Sequence, residues 1–175
     1  MKEKDFKRKS CNLAFLLRHD KDYNYDSSGW REVSDLVKNH GYTRSELEKI
    51  VESDSKGRYE FDFTKNRIRA CQGHSIPGII SSIKEDIPPL ILYHGTCSRF
   101  INSILSEGIQ KRSRNHVHLS ADKDTAIKVG SRHGECTVIL INAEKMIEDN
   151  IKFYKSSNGV WLVDEVLPKY FLAIE

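Results

Sequence analysis

Arginine and histidine side chains at the ends of predicted elements are the groups of this sequence best suited to chemistry. Arg18-His19 ends a predicted helix, Arg69 lies in a predicted strand, and Arg132 lies in the glycine-framed segment 129–134. Arginine stays charged and binds anions through a fork of N–H donors, whereas histidine titrates near neutral pH. Each position alone also has an ordinary interpretation, such as helix-dipole compensation or a solvated strand residue. Only their combination can indicate a function.

The tripeptide His94-Gly95-Thr96 follows the apolar run 90–93. It could hold a ligand at a strand end, because glycine permits close backbone approach. The sequence contains no GxxxxGKS/T or GxGxxG phosphate-binding loop and no GxSxG nucleophile motif. His116 and His118 would share one strand face, but no third residue has the spacing of a zinc ligand. We therefore predict no metal site.

The composition is that of a globular protein. The 175 residues are 38% hydrophobic and 30% charged, and the net charge is only +3, so any acidic partner must be bound by individually placed groups. No apolar stretch reaches the ~20 residues of a membrane span, and the charged N-terminus is unlike a secretory signal. The four cysteines form no CxxC pair. We expect a soluble, cytoplasmic protein with reduced thiols.

The first half of the chain has the pattern of three helices followed by a β-hairpin. The predicted helices cover residues 5–18, residues 33–39 and a segment that begins at the capping box 43–46. Aromatic residues alternate with polar ones over 59–64, which predicts a strand, and residues 67–71 return as a second strand. This order is typical of a winged-helix-like lobe.

The second half has the pattern of an α+β lobe. Residues 73–89 hold three of the four prolines and predict a linker with one helical turn at 79–83. We therefore divide the chain near residue 88, into lobes 1–88 and 89–175. Short helices alternate with strands predicted at 90–93, 116–120, 137–141, 151–154 and 160–163.

Six segments in order closely resemble the RNA 2′-phosphotransferase family, the KptA-type and tRNA-splicing 2′-phosphotransferases. The segments are LRH (17–19), IRACQGHS (68–75), YHGT (93–96), HVHLS (116–120), VGSRHG (129–134) and NGVWL (158–162). The resemblance extends over about residues 9–171, so that it covers nearly the whole chain.

The resemblance implies an enzyme that removes an internal 2′-phosphate from RNA and consumes NAD⁺ as co-substrate. In that family the phosphate attacks C1″ of the nicotinamide ribose, which releases nicotinamide and leaves a 2′-phospho-ADP-ribosylated RNA. The ribose 2″-hydroxyl then attacks phosphorus and releases 2′-OH RNA and ADP-ribose 1″,2″-cyclic phosphate. The family combines a winged-helix-like RNA lobe with an ADP-ribosyltransferase-like NAD⁺ lobe. The expected partner is RNA with a 2′-phosphate, tRNA being one candidate, and we expect a monomer without a membrane partner.

The family's essential residues correspond to Arg18, His19, Arg69 and Arg132. A phosphomonoester carries about −1.5 to −2 charges near pH 7, and arginines from both lobes would bind and orient it through bidentate contacts. Because the phosphate is already ionised, the first step needs no general base. His19 is assigned as a phosphate ligand and as the general acid of the second step.

The resemblance assigns NAD⁺ binding to the second lobe. The positions are His94, Gly95, Thr96, His118 and Ser120, with His94 at the adenosine ribose and the Gly95 backbone at the nicotinamide amide. Gln72 and His74 are assigned to RNA contact. Where ADP-ribosyltransferases often carry a catalytic glutamate, this chain has Gly159-Val160, and Glu165 lies beyond the strand. The missing carboxylate argues against ADP-ribosylation of proteins.

The sequence departs from the family at positions outside the catalytic set. The family usually has Asn at Cys71, Met at Arg112, Thr at Val163 and Pro at Leu167. Arg112 and Arg114 could add phosphate contacts or could be solvated.

Two other functions stay open. One is ADP-ribosylation of terminal phosphates of RNA or DNA, which would use the same pocket and stop after the first step. The other is a non-catalytic winged-helix nucleic-acid-binding module. The 17 basic and 15 acidic residues up to position 88 argue against this module, since sequence-independent binding relies on many phosphate contacts.

Overall fold

The computed structural model describes residues 3–79 and 83–175, and the chain forms two compact units. Unit 1 is Met1–Ile83 and unit 2 is Lys84–Glu175. Helices and antiparallel strands occur in both units, so the fold is α+β, as predicted. The helical turn predicted at 79–83 falls on residues 80–82, outside the described residues. Among the described helices, none has the length and hydropathy that crossing a membrane requires.

Unit 1 combines three helices with a three-stranded antiparallel sheet in the part that is described. Its elements are α1 (Glu3–Arg18), β1 (Arg31–Glu32), α2 (Val33–His40), α3 (Arg44–Glu52), β2 (Tyr59–Phe61) and β3 (Arg67–Ala70). The strand order is β1-β3-β2. Leu13 and Leu17 of α1 are fully buried against Leu36, Leu47 and Ile68, so one apolar face of each helix closes on the sheet.

The predicted start of α3 and the predicted stop of α2 are confirmed. Thr43 Oγ accepts from the Glu46 backbone N–H at 3.2 Å, and the Glu46 carboxylate accepts from the Thr43 N–H at 2.9 Å, which completes the capping box of α3. Gly41 ends α2 at a φ of 68°, a left-handed conformation that favours glycine.

Three features of unit 1 differ from the sequence prediction. Strand β2 ends at Phe61, because Asp62 caps the following turn and accepts backbone N–H bonds from Asn66 and Arg67 at 3.0 and 3.2 Å. The two-residue strand β1 was not predicted. The linker expected from about residue 73 is packed into unit 1 up to Ile79, since His74 and Ile79 are both buried.

Unit 2 consists of short helices and strands in three small antiparallel sheets. The strands are β4 (Lys84–Glu85), β5 (Ile91–Cys97), β6 (Ile109–Gln110), β7 (Val117–Leu119), β8 (Cys136–Asn142), β9 (Tyr154–Lys155), β10 (Trp161–Val163), β11 (Glu165–Val166) and β12 (Phe171–Ile174). The helices are α4 (Ile101–Glu107), α5 (Lys123–Gly130) and α6 (Ala143–Glu148). The sheets have the orders β4-β9-β10-β7, β11-β6 and β12-β8-β5.

One continuous core joins the sheets of unit 2, with Leu92, Ile139, Ile141, Met146 and Val166 fully buried in it. Unit 2 begins before the cut predicted near residue 88, because β4 pairs with β9. The strand predicted at 151–154 is observed only at Tyr154–Lys155.

Candidate functional site

The C-terminal end of α1 presents Arg18 and His19. Leu16 and Leu17 anchor this last turn in the core, and the His19 backbone N–H continues the helical pattern to Phe15 O at 2.8 Å. Ser75 contacts the turn through both its backbone and its side chain: its backbone N–H donates to Arg18 O at 3.0 Å, and its Oγ lies 2.9 Å from His19 Nδ1. The serine therefore holds the imidazole through Nδ1.

Arg69 of β3 is held by three groups of unit 1. Its Nε donates to Glu60 Oε1 at 2.7 Å, across the strand pair β2–β3, and its Nη1 donates to Ser28 O at 3.2 Å. The guanidinium lies over the Trp30 ring, 4.2 Å from its centroid. These contacts fix the orientation of the guanidinium for binding an anion.

His74 lies near the charged side chains of the predicted catalytic residues of unit 1. Burial, together with the positive charges of Arg18, His19 and Arg69, lowers the pKa of His74 to about 4. Its side chain is only 3% exposed, and its Nε2 has no hydrogen-bond partner among the described residues. The structure thus brings Arg18, His19 and Arg69 together around a neutral histidine. The predicted RNA contact of His74 stays a prediction, as does that of the partly buried Gln72.

In unit 2, the predicted NAD⁺-binding residues lie on two adjoining strands. The backbone N–H groups of Tyr93 and Ser120 donate to each other's carbonyl oxygens at 2.9 and 2.8 Å, which joins β5 to the end of β7. His94, Gly95 and Thr96 on β5 therefore lie beside His118 and Ser120.

The protonation of His94 follows from its contacts. Its Nδ1 lies 3.1 Å from His118 O, and because a carbonyl only accepts, Nδ1 carries the proton. Burial lowers the pKa of His94. The neutral ring therefore presents Nε2 as a hydrogen-bond acceptor, which suits a hydroxyl of a ligand.

Gly95 is required by helix packing. A Cβ atom at Gly95 would lie 1.8 Å from the backbone oxygen of Ala126, so α5 can approach β5 only because residue 95 has no side chain. The backbones of Gly95 and Gly130 also meet closely at the end of α5. The short 3₁₀ turn Ser131–His133 follows directly, so this packing also fixes the start of the turn that carries the exposed Arg132.

The structure distinguishes Arg112 from Arg114, whose roles are undecided from the sequence. Burial and the nearby charge of Arg132 lower the pKa of Arg114, which indicates that these two cations lie close together. Arg112 instead pairs with Glu107 at 3.2 Å. Arg114 is thus the better candidate for an added phosphate contact.

Sequence reasoning missed two contributors to the site region. Ser75 belongs to the quoted segment 68–75, so its position beside His74 could have suggested a role. Arg31 carries no such signal, yet it is 2% exposed and contacts several groups of unit 1. In the described parts of the chain, no group of three or more histidine, cysteine or acidic residues could hold a metal ion.

Comparison with known proteins gives a consistent family match. A family model described as "RNA 2′-phosphotransferase, Tpt1 / KptA family" matches residues 4–165. A probable RNA 2′-phosphotransferase from Flavobacterium johnsoniae is 42% identical over 97% of this chain and 97% of its own. Similar proteins with the same description come from Rhodopirellula baltica, 43% identical over 90% of each chain, and from Acaryochloris marina, 40% identical over 99% of each chain.

Proposed function

Because the chain belongs to the RNA 2′-phosphotransferase (Tpt1/KptA) family, as its six segments predict, we propose that it is an enzyme that removes an internal 2′-phosphate from RNA with NAD⁺ as co-substrate. The observation that carries the proposal is the grouping of Arg18, His19 and Arg69 around His74, at the positions expected for the family's catalytic set. The resemblance also assigns Arg132, which lies in unit 2, to that set.

The arginines bind and orient the phosphate. A phosphomonoester dianion needs several charge-assisted hydrogen bonds, and Arg69 is already held by Glu60, Ser28 and Trp30 in one orientation. A guanidinium that is fixed before the substrate binds loses little freedom on binding, so it can align the phosphate for attack.

His19 donates a proton to the ribose 2′-oxygen of the RNA as that oxygen separates from phosphorus. Ser75 Oγ can accept from Nδ1–H of a protonated His19, since its own hydroxyl hydrogen faces Arg18 O at 3.5 Å. We assign the imidazolium as the proton donor to the ribose 2′-oxygen of RNA, which separates from phosphorus as a developing alkoxide. The serine thus orients the His19 ring for phosphate binding and proton donation.

Unit 2 fits NAD⁺ through its hydrogen-bonding groups. The Nε2 acceptor of His94 suits a ribose hydroxyl, and His118 on β7 and Ser120 directly after that strand adjoin it. Bound NAD⁺ supplies the electrophilic ribose carbon that receives the phosphate, and it leaves as nicotinamide and ADP-ribose 1″,2″-cyclic phosphate. The three helices and three-stranded sheet of unit 1 support a winged-helix-like RNA lobe, and unit 2 is accordingly assigned as the ADP-ribosyltransferase-like lobe.

The test uses a short RNA with one internal 2′-phosphate, with and without NAD⁺, and analyses the products by mass. We expect NAD⁺-dependent loss of the phosphate and appearance of ADP-ribose 1″,2″-cyclic phosphate. A stable ADP-ribosylated RNA as the final product would instead indicate the transferase that stops after the first step. No NAD⁺-dependent change, together with tight RNA binding, would indicate a binding module.

A variant isolates the role of His19. His19→Ala should accumulate ADP-ribosylated RNA, because the second step loses its proton donor while the first needs none. The assignment would be wrong if His19→Ala formed no such species and only weakened RNA binding.

A further inference from the structure

Arg31 is the most highly connected buried cation among the described residues of unit 1. Its Nη1 donates to Leu16 O at 3.0 Å and to Asp20 Oδ2 at 2.6 Å, and its Nε donates to Asp35 Oδ2 at 2.7 Å. Its Nη2 donates to His40 Nε2 at 2.7 Å, and Tyr23 covers the guanidinium with 4.3 Å between Cζ and the ring centroid. One side chain therefore ties the end of α1 to α2.

We propose that Arg31 is a positioning residue that holds Arg18 and His19 in place for catalysis, an inference that rests on the proposed function. Arg18 and His19 lie between the two α1-side partners of the guanidinium, Leu16 and Asp20. Arg31 thus holds the chain on both sides of the predicted catalytic pair.

Tyr25 and Ser75 make further contacts with the chain segment that Arg31 holds. The Tyr25 hydroxyl also donates to Leu16 O and lies 3.3 Å from Arg31 Nη1, so that carbonyl has two donors. Ser75 binds the same turn through Arg18 O and His19 Nδ1. The His19 ring is consequently fixed at Nδ1, while the backbone that carries it is fixed by Arg31.

Lysine cannot replace this function. Its ammonium group is a single point charge, whereas the planar guanidinium directs separate N–H donors to Asp20, Asp35 and His40 at once. Arg31→Lys therefore keeps the charge and loses the geometry. A matched control is Arg58→Lys, since Arg58 also pairs with a buried carboxylate of unit 1, Asp54 at 2.8 Å.

The experiment compares full-length wild type, Arg31→Lys and Arg58→Lys in three measurements. Circular dichroism with thermal unfolding reports folding. Steady-state kinetics with 2′-phosphorylated RNA and NAD⁺ separates kcat from KM. The ¹⁵N chemical shifts of the His19 ring, followed over pH without substrate, report its tautomer and titration.

We expect Arg31→Lys to fold, to lower kcat by about 10- to 100-fold with KM values nearly unchanged, and to shift the His19 resonances. Arg58→Lys should leave kcat and His19 unchanged. A folded Arg31→Lys protein with wild-type His19 resonances and wild-type kcat would overturn the proposal.

Two further measures keep the proposal falsifiable. If Arg31→Lys does not fold, Asp20→Asn removes the charge of the ion pair beside His19 and leaves Arg31 itself in place. The same kinetic and spectroscopic measurements on this variant then test the proposal. If the wild-type protein lacks 2′-phosphotransferase activity, the proposed function fails, but the His19 spectra still show whether Arg31 controls the imidazole.

Discussion

His74 couples the stability of the protein to pH. Its pKa is lowered to about 4 in the folded protein by burial and by three nearby cations, against an ordinary value of about 6.5 in the unfolded chain. Between these values the unfolded chain binds more protons, so the free energy of unfolding falls as pH decreases from 6.5 towards 4. The loss between pH 7 and pH 5 should be about 2 kcal/mol.

Urea unfolding at pH 7 and pH 5 tests this dependence on wild type and His74→Gln. Acidic residues also respond to pH, but they are common to both proteins, so the difference between the two isolates His74. The expected result is a pH effect smaller by about 2 kcal/mol in His74→Gln. Equal pH effects in both proteins would show that His74 titrates normally.

His94 should bind NAD⁺ without responding to pH in the neutral range. Its Nδ1 donates to His118 O and burial lowers its pKa, so the ring stays neutral above its ordinary titration range. We expect His94→Ala to weaken NAD⁺ binding by about 10-fold, as the loss of one or two hydrogen bonds implies. Calorimetric titration between pH 6.5 and 8 should give a constant affinity for wild type. An affinity change in this range that disappears in His94→Ala would contradict the assignment.

At the scale of elements, the contact between α5 and β5 depends on Gly95. A methyl group there would meet the backbone of Ala126 at 1.8 Å, and backbone cannot move aside as a side chain can. Gly95→Ala should therefore lower the free energy of unfolding by about 3 kcal/mol or more. Gly41→Ala is the control: a Cβ at Gly41 meets nothing within 4 Å, so only the left-handed φ of 68° costs energy, about 1 to 2 kcal/mol. Similar losses in chemical denaturation would disprove the packing argument.

Elements with strong local signals were predictable from the sequence, and those without them were not. The capping box at Thr43 and the glycine after α2 act within a few residues, so the sequence contains the whole determinant. Strands β1, β4, β6, β9 and β11 have two residues each, too few to show an alternating pattern. They form because a partner strand is nearby, which depends on tertiary contacts.

The same distinction holds for the candidate site. The resemblance of six ordered segments to a family predicts a catalytic set of Arg18, His19, Arg69 and Arg132. Their spacing along the chain alone gives no reason to group them. For Gly95 the sequence predicts close approach of a ligand, which stays a prediction, and the structure adds a packing role with α5 that the sequence did not show. Arg31 was missed, because a buried arginine is specified by partners from distant parts of unit 1.

For the whole molecule, the residues predicted to bind NAD⁺ and most of those predicted to bind phosphate lie in different units. Those assigned to NAD⁺, namely His94, Gly95, Thr96, His118 and Ser120, all lie in unit 2, whereas three of the four assigned to phosphate lie in unit 1. Each ligand alone should therefore stabilise a different unit. A ligand at 100 times its Kd raises the free energy of any opening that must release it by about 2.7 kcal/mol. The amide protons exposed by that opening then exchange about 100-fold more slowly.

Hydrogen exchange on the full-length protein tests this division. NAD⁺ alone should protect the Tyr93 and Ser120 amides, whose mutual hydrogen bonds join β5 to β7, and should leave the His19 and Ser75 amides unchanged. A 2′-phosphorylated oligonucleotide alone should protect His19 and Ser75, and the same oligonucleotide without the 2′-phosphate should protect them less. Protection of α1 by NAD⁺, with no effect at Tyr93, would reverse the assignment: the cofactor groups would then belong to unit 1, and His94 would be a structural residue of β5.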